Sequence, residues 1–358
     1  MQTAEVIIIG AGVVGASIAW HLAARGCRDV LIIERENELG RGSTGRATGG
    51  FRTQFGSEIN VRLSLLAREK LRRFEDEIGV DAGYRPHGYL FLARSQHSLD
   101  ELRLAQQLQH ACGVTEARMV DAGEAHTLNP AIEDVALVGG AFCPTDGFIR
   151  PMDILHGYAV AAERFGARFQ FGVEVRPGDV MSRAGTVVNA TGAWAGAFGI
   201  PVTPLRRNVA ATVPTDRLPD SMPMTIWVDD GYHLRMRDGR ALLLWPDDPV
   251  IDDEQWFQKV EWFTRERVPP LRDIPIDRAN SWSGFYEMSP DRHAIIGRID
   301  DRVVLANGSS GHGVMHAPAI GQVVAEIILD GRATTIDIES LRPSRFAEGK
   351  PIASPTLL

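Results

Sequence analysis

Residues 5–9, Glu-Val-Ile-Ile-Ile, run straight into Gly10-Ala11-Gly12-Val13-Val14-Gly15. No other feature restricts the possible folds of the chain as much. A short β-branched apolar run reads as a strand buried on both faces of a parallel sheet. Ala16–Arg25 then has helical character and stops at Gly26. Asp29–Glu34 is a second buried strand that closes on an acid. The result is a complete βαβ unit, and its context turns a weak Gly-x-Gly-x-x-Gly match into a dinucleotide-binding signature. Gly10 permits the tight turn, Gly12 lets backbone approach a pyrophosphate, and Gly15 lets helix and strand pack closely. The helix N-terminus offers N–H groups and partial positive charge to the phosphates. Glu34 is placed to accept from a ribose diol and to repel a 2′-phosphate.

Further elements follow from periodicity. Ser57 is an N-cap candidate, and the apolar face of Ile59, Leu63, Leu66, Leu71, Phe74 and Ile78 predicts one long helix over 58–78. Helices are also expected at 99–112, 152–165, 254–267 and 318–329, and strands at 84–93, 135–143, 186–190 and 303–306. The region 203–285 reads as strand-rich. Two glycine-rich turns recur far from the first, Asn189-Ala190-Thr191-Gly192-Ala193-Trp194 and Asn307-Gly308-Ser309-Ser310-Gly311-His312-Gly313. Glycine loses the most entropy on ordering, so such turns make poor linkers. They suit a long cofactor that runs across a sheet, and FAD is one. The fold class is therefore α/β: a discontinuous Rossmann-like FAD-binding domain (1–83, 144–202 and 286–340) with an inserted α+β substrate domain on a mostly antiparallel sheet (84–143 and 203–285). Residues 341–358 read as a tail on the surface.

Composition narrows the function classes. The net charge of −8 argues against a nucleic-acid partner. Three lysines, Lys70, Lys259 and Lys350, stand against 35 arginines, so Schiff-base chemistry elsewhere is excluded. Cys27, Cys112 and Cys143 are scattered and odd in number, which fits a reducing compartment and no metal site. The start of the chain carries no basic leader, and Val6–Trp20 is too short to span a bilayer. A cytoplasmic protein without a transmembrane segment is expected.

Four segments resemble the FAD-dependent amine oxidoreductases of the D-amino-acid oxidase superfamily, in the branch of sarcosine oxidase, glycine oxidase, D-arginine dehydrogenase and the dye-linked L-proline dehydrogenase β subunit. They are Ile7–Gly15 with Glu34, Gly42–Gly56, Val188–Ala195 and Gly284–Gly321, the last containing Gly-Phe-Tyr-Glu-Met-Ser-Pro-Asp-Arg-His-Ala-Ile-Ile-Gly. The resemblance covers nearly the whole chain, although 172–188 is shorter than the family's usual connection.

It implies oxidation of a C–N bond by hydride transfer to flavin N5, with the protein supplying orientation and electrostatics. The cofactor-binding residues it implies are Gly10, Gly12, Val13, Val14, Gly15, Glu34, Arg35, Ser43, Thr44, Arg46, Thr48, Gly49, Gly50 and Val175. Further along they are Ala190, Thr191, Gly192, Trp194, Gly308, Gly311, His312, Gly313, Val314 and Met315. A helix starting near His316–Pro318 would point its positive end at the ring. Arg52 aligns with a carboxylate-binding arginine, Tyr232 with a substrate-contacting tyrosine, and Tyr286 stands where glycine oxidase has an arginine. His312 is shared with sarcosine oxidase, whereas Met315 replaces a second carboxylate-binding lysine. Gly284 replaces the cysteine that anchors flavin covalently, so FAD is expected to be non-covalent. The strand Ala241–Trp245 lacks the lysine that promotes oxygen reduction, which favours a dehydrogenase with a quinone or protein acceptor. The expected partner is a small amino acid or amine. Oxidation of a 2-hydroxy acid or polyol phosphate, and a non-catalytic FAD-bearing subunit of an oligomer or hetero-complex, are the alternatives.

Overall fold

The computed structural model describes residues 2–176, 178–247 and 250–353. The opening apolar run forms the strand Ala4–Ile9, the inner strand of a six-stranded sheet. Val30–Ile33 pairs with it on one side and Ala184–Asn189 on the other, both parallel. Arg168–Gln170 extends one flank, and Val303–Asn307 then Ile295–Arg298 extend the other; only the last pairing is antiparallel. Helices Val13–Ala24, Pro151–Arg164 and Gly313–Leu329 pack against this sheet and one another. Gly321 makes the last helix fit, since a Cβ there would meet Ser17 Oγ at 2.1 Å. Gly26 has φ +94, the left-handed stop the sequence predicts.

A second sheet of eight strands runs in the order Trp282–Met288, Thr203–Ala211, Arg240–Leu244, His233–Arg237, Met224–Trp227, Tyr89–Ala93, Gly139–Cys143, Arg118–Val120. Every pairing is antiparallel except that of Met224–Trp227 with Tyr89–Ala93. The helix Asp253–Arg267 covers one face with Trp256, Val260 and Phe263. The α/β class with a mostly antiparallel second sheet is what the sequence implied.

Several local expectations need correction. The helix over 58–78 is two helices, Glu58–Arg72 and Phe74–Ile78, parted at Arg73, whose ψ of 6° is not helical. The break turns Phe74 inward against Tyr158, with ring centroids 4.9 Å apart. Ser57 precedes the first of these, but its hydroxyl bonds His293 Nε2 at 2.9 Å and makes no cap bond. The strand expected over 84–93 begins only at Tyr89, because Gly88 has φ +92. The last helix starts at Gly313, five residues before Pro318, which sits inside it and forgoes one backbone bond.

Residues 341–353 run largely over the surface, as expected, but they are pinned to the fold at two buried points. Leu341 is fully buried, and Arg345, with no exposed side-chain area, is paired to Asp291 at 2.8 and 3.0 Å. Residues 354–358 lie outside the described residues.

Candidate active site

The three glycine-rich turns meet at the carboxyl ends of strands Ala4–Ile9, Ala184–Asn189 and Val303–Asn307, where ligands bind in open α/β sheets. Together with strands of the second sheet they line one cleft of about 930 Å³. That volume is at the upper end for small-molecule and cofactor sites.

The first turn is built as the spacing predicts. Gly10 has φ +103, and a Cβ there would lie 2.4 Å from the Ala190 carbonyl oxygen. A Cβ on Gly15 would lie 2.0 Å from the Gly10 carbonyl oxygen. Gly12 is different: its Cβ would meet only Thr44 Oγ1, at 3.5 Å, and otherwise face the cleft. The missing side chain leaves a cradle at the helix N-terminus, which suits a pyrophosphate. The Val13 N–H is taken by Thr44 Oγ1 at 3.1 Å. Glu34 accepts from the Ala11 N–H at 2.8 Å and the Glu36 N–H at 3.0 Å, which holds its carboxylate at the cleft edge with lone pairs left for a ribose diol. Arg35 stacks on Trp194, its guanidinium 4.3 Å from the ring centre.

At the other end, Gly308, Ser310 and Gly311 all have positive φ. This bend delivers Gly313 as the first residue of the last helix, so its free N–H groups open on the cleft beside Val314 and Met315. Glu287 faces the same bend. One carboxylate oxygen accepts from the Ser309 N–H and hydroxyl, whereas Oε2 is buried and has no partner among the described residues. Burial raises its carboxyl above the usual range. A buried lone pair between Gly192 and Gly313 calls for a donor such as a ligand hydroxyl. The glycine cradle, the helix end and this orphaned oxygen together fit a long, polar, phosphate-bearing cofactor.

Arg52 lies in the wall with 4% exposure. Its guanidinium donates to the Gln54 carbonyl at 3.2 Å and to His312 Nε2 at 3.1 Å, and stacks on Phe55 at 4.1 Å. Arginine only donates, so His312 Nε2 is the acceptor and the ring is neutral. Burial, then the charge of Arg52, push its pKa well below the ordinary value. Burial also lowers Arg52 itself. Behind them the buried Asp146 accepts from Thr53 and Gln54, two bonds each, and clamps the loop that carries Arg52. Burial pushes its carboxyl up to about 6.

Three expected site residues stand apart from the cleft lining. Gly15 acts in helix packing and Gly308 in the bend. Tyr232 is fully buried in the opposite face of the second sheet, stacked on Phe263 at 5.2 Å and bonded to Thr264 Oγ1 at 2.8 Å. Adjacent residues of a strand face opposite sides, so its neighbour His233 lines the cleft instead. All the other expected residues line it, Tyr286 and Val175 included. Sequence reasoning missed Glu287, His233, Tyr89, Arg207 and the apolar wall of Met224, Ile226 and Leu244. Alternation along the strands was the available signal, but it does not say which face turns to the cleft.

Among the described residues there is no metal-binding cluster, no helix is long and apolar enough to cross a membrane, and the three cysteines are unpaired.

Comparison with known proteins agrees with this geometry. L-Proline dehydrogenase from P. horikoshii superposes with a TM-score of 0.89 at 29% identity, over 98% of this chain and 100% of that one. Glycine oxidase from Geobacillus kaustophilus has the same fold (TM-score 0.81, 23% identity, 96% and 99% covered). Among curated sequences, FAD-dependent oxidoreductase domain-containing protein 1 of Xenopus laevis is 26% identical over 98% of this chain and 84% of its own. Mitochondrial dimethylglycine dehydrogenase of Mus musculus is 29% identical over 96% of this chain, which spans only 44% of that protein. The family model described as DAO, FAD dependent oxidoreductase, matches residues 5–327. FAD is therefore the cofactor, and the chain belongs to the FAD-dependent oxidoreductases of the DAO family.

Proposed function

We propose that the protein oxidises the C–N bond of an amino acid or secondary amine, and that it works as a dehydrogenase. The observation that carries this reading is Arg52, a buried guanidinium in the cleft wall within hydrogen-bonding distance of His312, directly before the last helix. A planar fork in an apolar setting suits a carboxylate. The relatives named for proline, glycine and dimethylglycine chemistry support the same substrate class.

In this reading FAD supplies the two-electron acceptor. Gly10–Val14, Ser43, Thr44 and Arg46 would hold its phosphates, Glu34, Arg35, Trp194 and Val175 its adenosine, and Thr48–Gly50 with Gly311–Met315 its ring system. Arg52 holds the substrate carboxylate and so sets the α-carbon against the ring. Tyr286 borders that space. His312 stays neutral and keeps the guanidinium in plane. The N–H groups at Gly313–Met315 would lend the ring system a partial positive charge from the helix end.

The cofactor is held without a covalent bond. A Cβ on Gly284 would lie 2.8 Å from Arg46 Cβ, so a cysteine there has no room. No lysine occurs in Arg240–Leu244, which supports a quinone or protein acceptor over oxygen. Unpaired thiols fit a reducing, cytoplasmic setting.

An anaerobic screen of amino acids and N-methyl amines tests the proposal: the yellow flavin should bleach with at least one. If none bleaches it while a 2-hydroxy acid or polyol phosphate does, the substrate class is wrong. Fast return of oxidised flavin in air, with peroxide, refutes the dehydrogenase assignment.

A further inference from the structure

Beyond Arg52, the cleft wall holds a second polar group whose chemistry is defined by its partner. The strand His233–Arg237 presents alternate residues to one face. On that face Arg235 reaches the Thr48 and Gly49 carbonyls, at 2.7 and 3.1 Å, and Arg237 lies near those of Ala47 and Thr48. The face therefore turns toward the loop expected to carry the ring system. Tyr232 belongs to the other face, beneath the helix Asp253–Arg267. His233 thus stands on the cleft face, between Ile226 and Leu244 in the sheet register, and all three line the cleft.

Its Nδ1 lies 2.8 Å from the Gly231 carbonyl oxygen. A carbonyl only accepts, so Nδ1 carries the hydrogen and Nε2 carries a lone pair. No group among the described residues donates to Nε2. Burial, with Arg52 adding its charge, keeps the ring neutral by lowering its pKa to about 4. A lone pair flanked by the apolar side chains of Ile226 and Leu244 repels a carboxylate and has no use for a methyl group. It matches an N–H donor.

We propose that His233 is a specificity-determining residue that recognises the amine N–H of the substrate through Nε2, while Arg52 holds the carboxylate. The inference rests on the amine reading above and extends it: a primary or secondary amine beside an apolar side chain is accepted, and the isosteric ether is discriminated against.

The test uses FAD-loaded enzyme and two isosteric pairs, L-proline with tetrahydrofuran-2-carboxylate and sarcosine with methoxyacetate. Anaerobic flavin reduction gives the apparent Kd and limiting rate for each amine, and perturbation of the flavin spectrum gives the Kd of each ether. In His233→Leu the amine Kd should rise about tenfold or more, the value of one lost hydrogen bond to a charged group, with a smaller change in limiting rate. The ether Kd should stay within about threefold. His233→Gln, which keeps an acceptor, should restore most of the preference. Equal weakening of amine and ether, or no change in either, overturns the role of His233 while leaving the amine reading intact. Failure of every amino acid tried, these two included, to bind or bleach the flavin overturns both.

Discussion

Two glycines three residues apart should fail in opposite ways when replaced by alanine. Gly12 has φ −68°, a backbone any residue adopts, and its Cβ would meet nothing closer than 3.5 Å. Gly12→Ala should therefore leave the apoprotein's melting temperature nearly unchanged. What the methyl group fills is the phosphate cradle. Loss of one hydrogen bond to a charged phosphate costs about 1.5–3 kcal/mol, so FAD affinity should fall by about 10- to 150-fold.

Gly15→Ala places its Cβ 2.0 Å from the Gly10 carbonyl oxygen, far inside contact distance. The helix must retreat from the sheet by roughly 1 Å, an overpacking strain of about 1–3 kcal/mol or more. At about 2–4 °C per kcal/mol, the apoprotein should melt several degrees lower. Thermal melts of both apoproteins and fluorescence titrations with FAD separate the two. The reasoning fails if Gly12→Ala melts as low as Gly15→Ala, or if it binds FAD like the unaltered protein.

Other consequences are equally direct. Arg52→Ala should raise KM for the amino acid by about 30-fold or more, the range of about 2–5 kcal/mol for removing one member of a desolvated charge pair; unchanged steady-state kinetics would remove Arg52 from substrate binding. Tyr232→Phe should cost about 1 kcal/mol of stability through its lost bond to Thr264 and leave turnover unaltered, checked by denaturant melts beside kinetics. Burial lowers both His21 and His316 to about 3 from about 6.5 in the unfolded chain. The unfolded state therefore binds more protons between those values, and stability that is complete above pH 6.5 is lost as pH falls. Asp146, raised to about 6, works in the opposite sense and offsets one histidine. The net fall between pH 6 and 5 should be at least about 1.4 kcal/mol per unit, measured by denaturant unfolding, and a flat profile would refute it.

The nucleotide half was legible because its signals are local. Continuous apolar runs at 6–9 and 30–33 could only be buried strands, and the glycines between them had sterically distinct duties. Arg52 and His312 were different: nothing in either residue's neighbourhood marks it out, and only the family resemblance did. Tyr232 shows where that aid stops. Alternation places Tyr232 and His233 on opposite faces, but which face meets the cleft depends on the helix Asp253–Arg267, two strands later. Glu287 was invisible for a related reason, since its orphaned oxygen exists only once residues 192 and 313 come together around it. The burial of Arg345 was hidden too, because it looks like any surface arginine until its partner Asp291 is located.

The placement of Ala4–Ile9 between neighbours that come so much later has a kinetic side. One flanking strand, Val30–Ile33, follows after a single crossover helix, whereas the other, Ala184–Asn189, is about 175 residues away. At about 5–20 residues per second, a ribosome needs roughly 10–35 s to supply it. Throughout that interval an apolar edge of the nascent sheet waits unpaired, which makes the earliest-made part of the cofactor site the one most in need of a chaperone's cover.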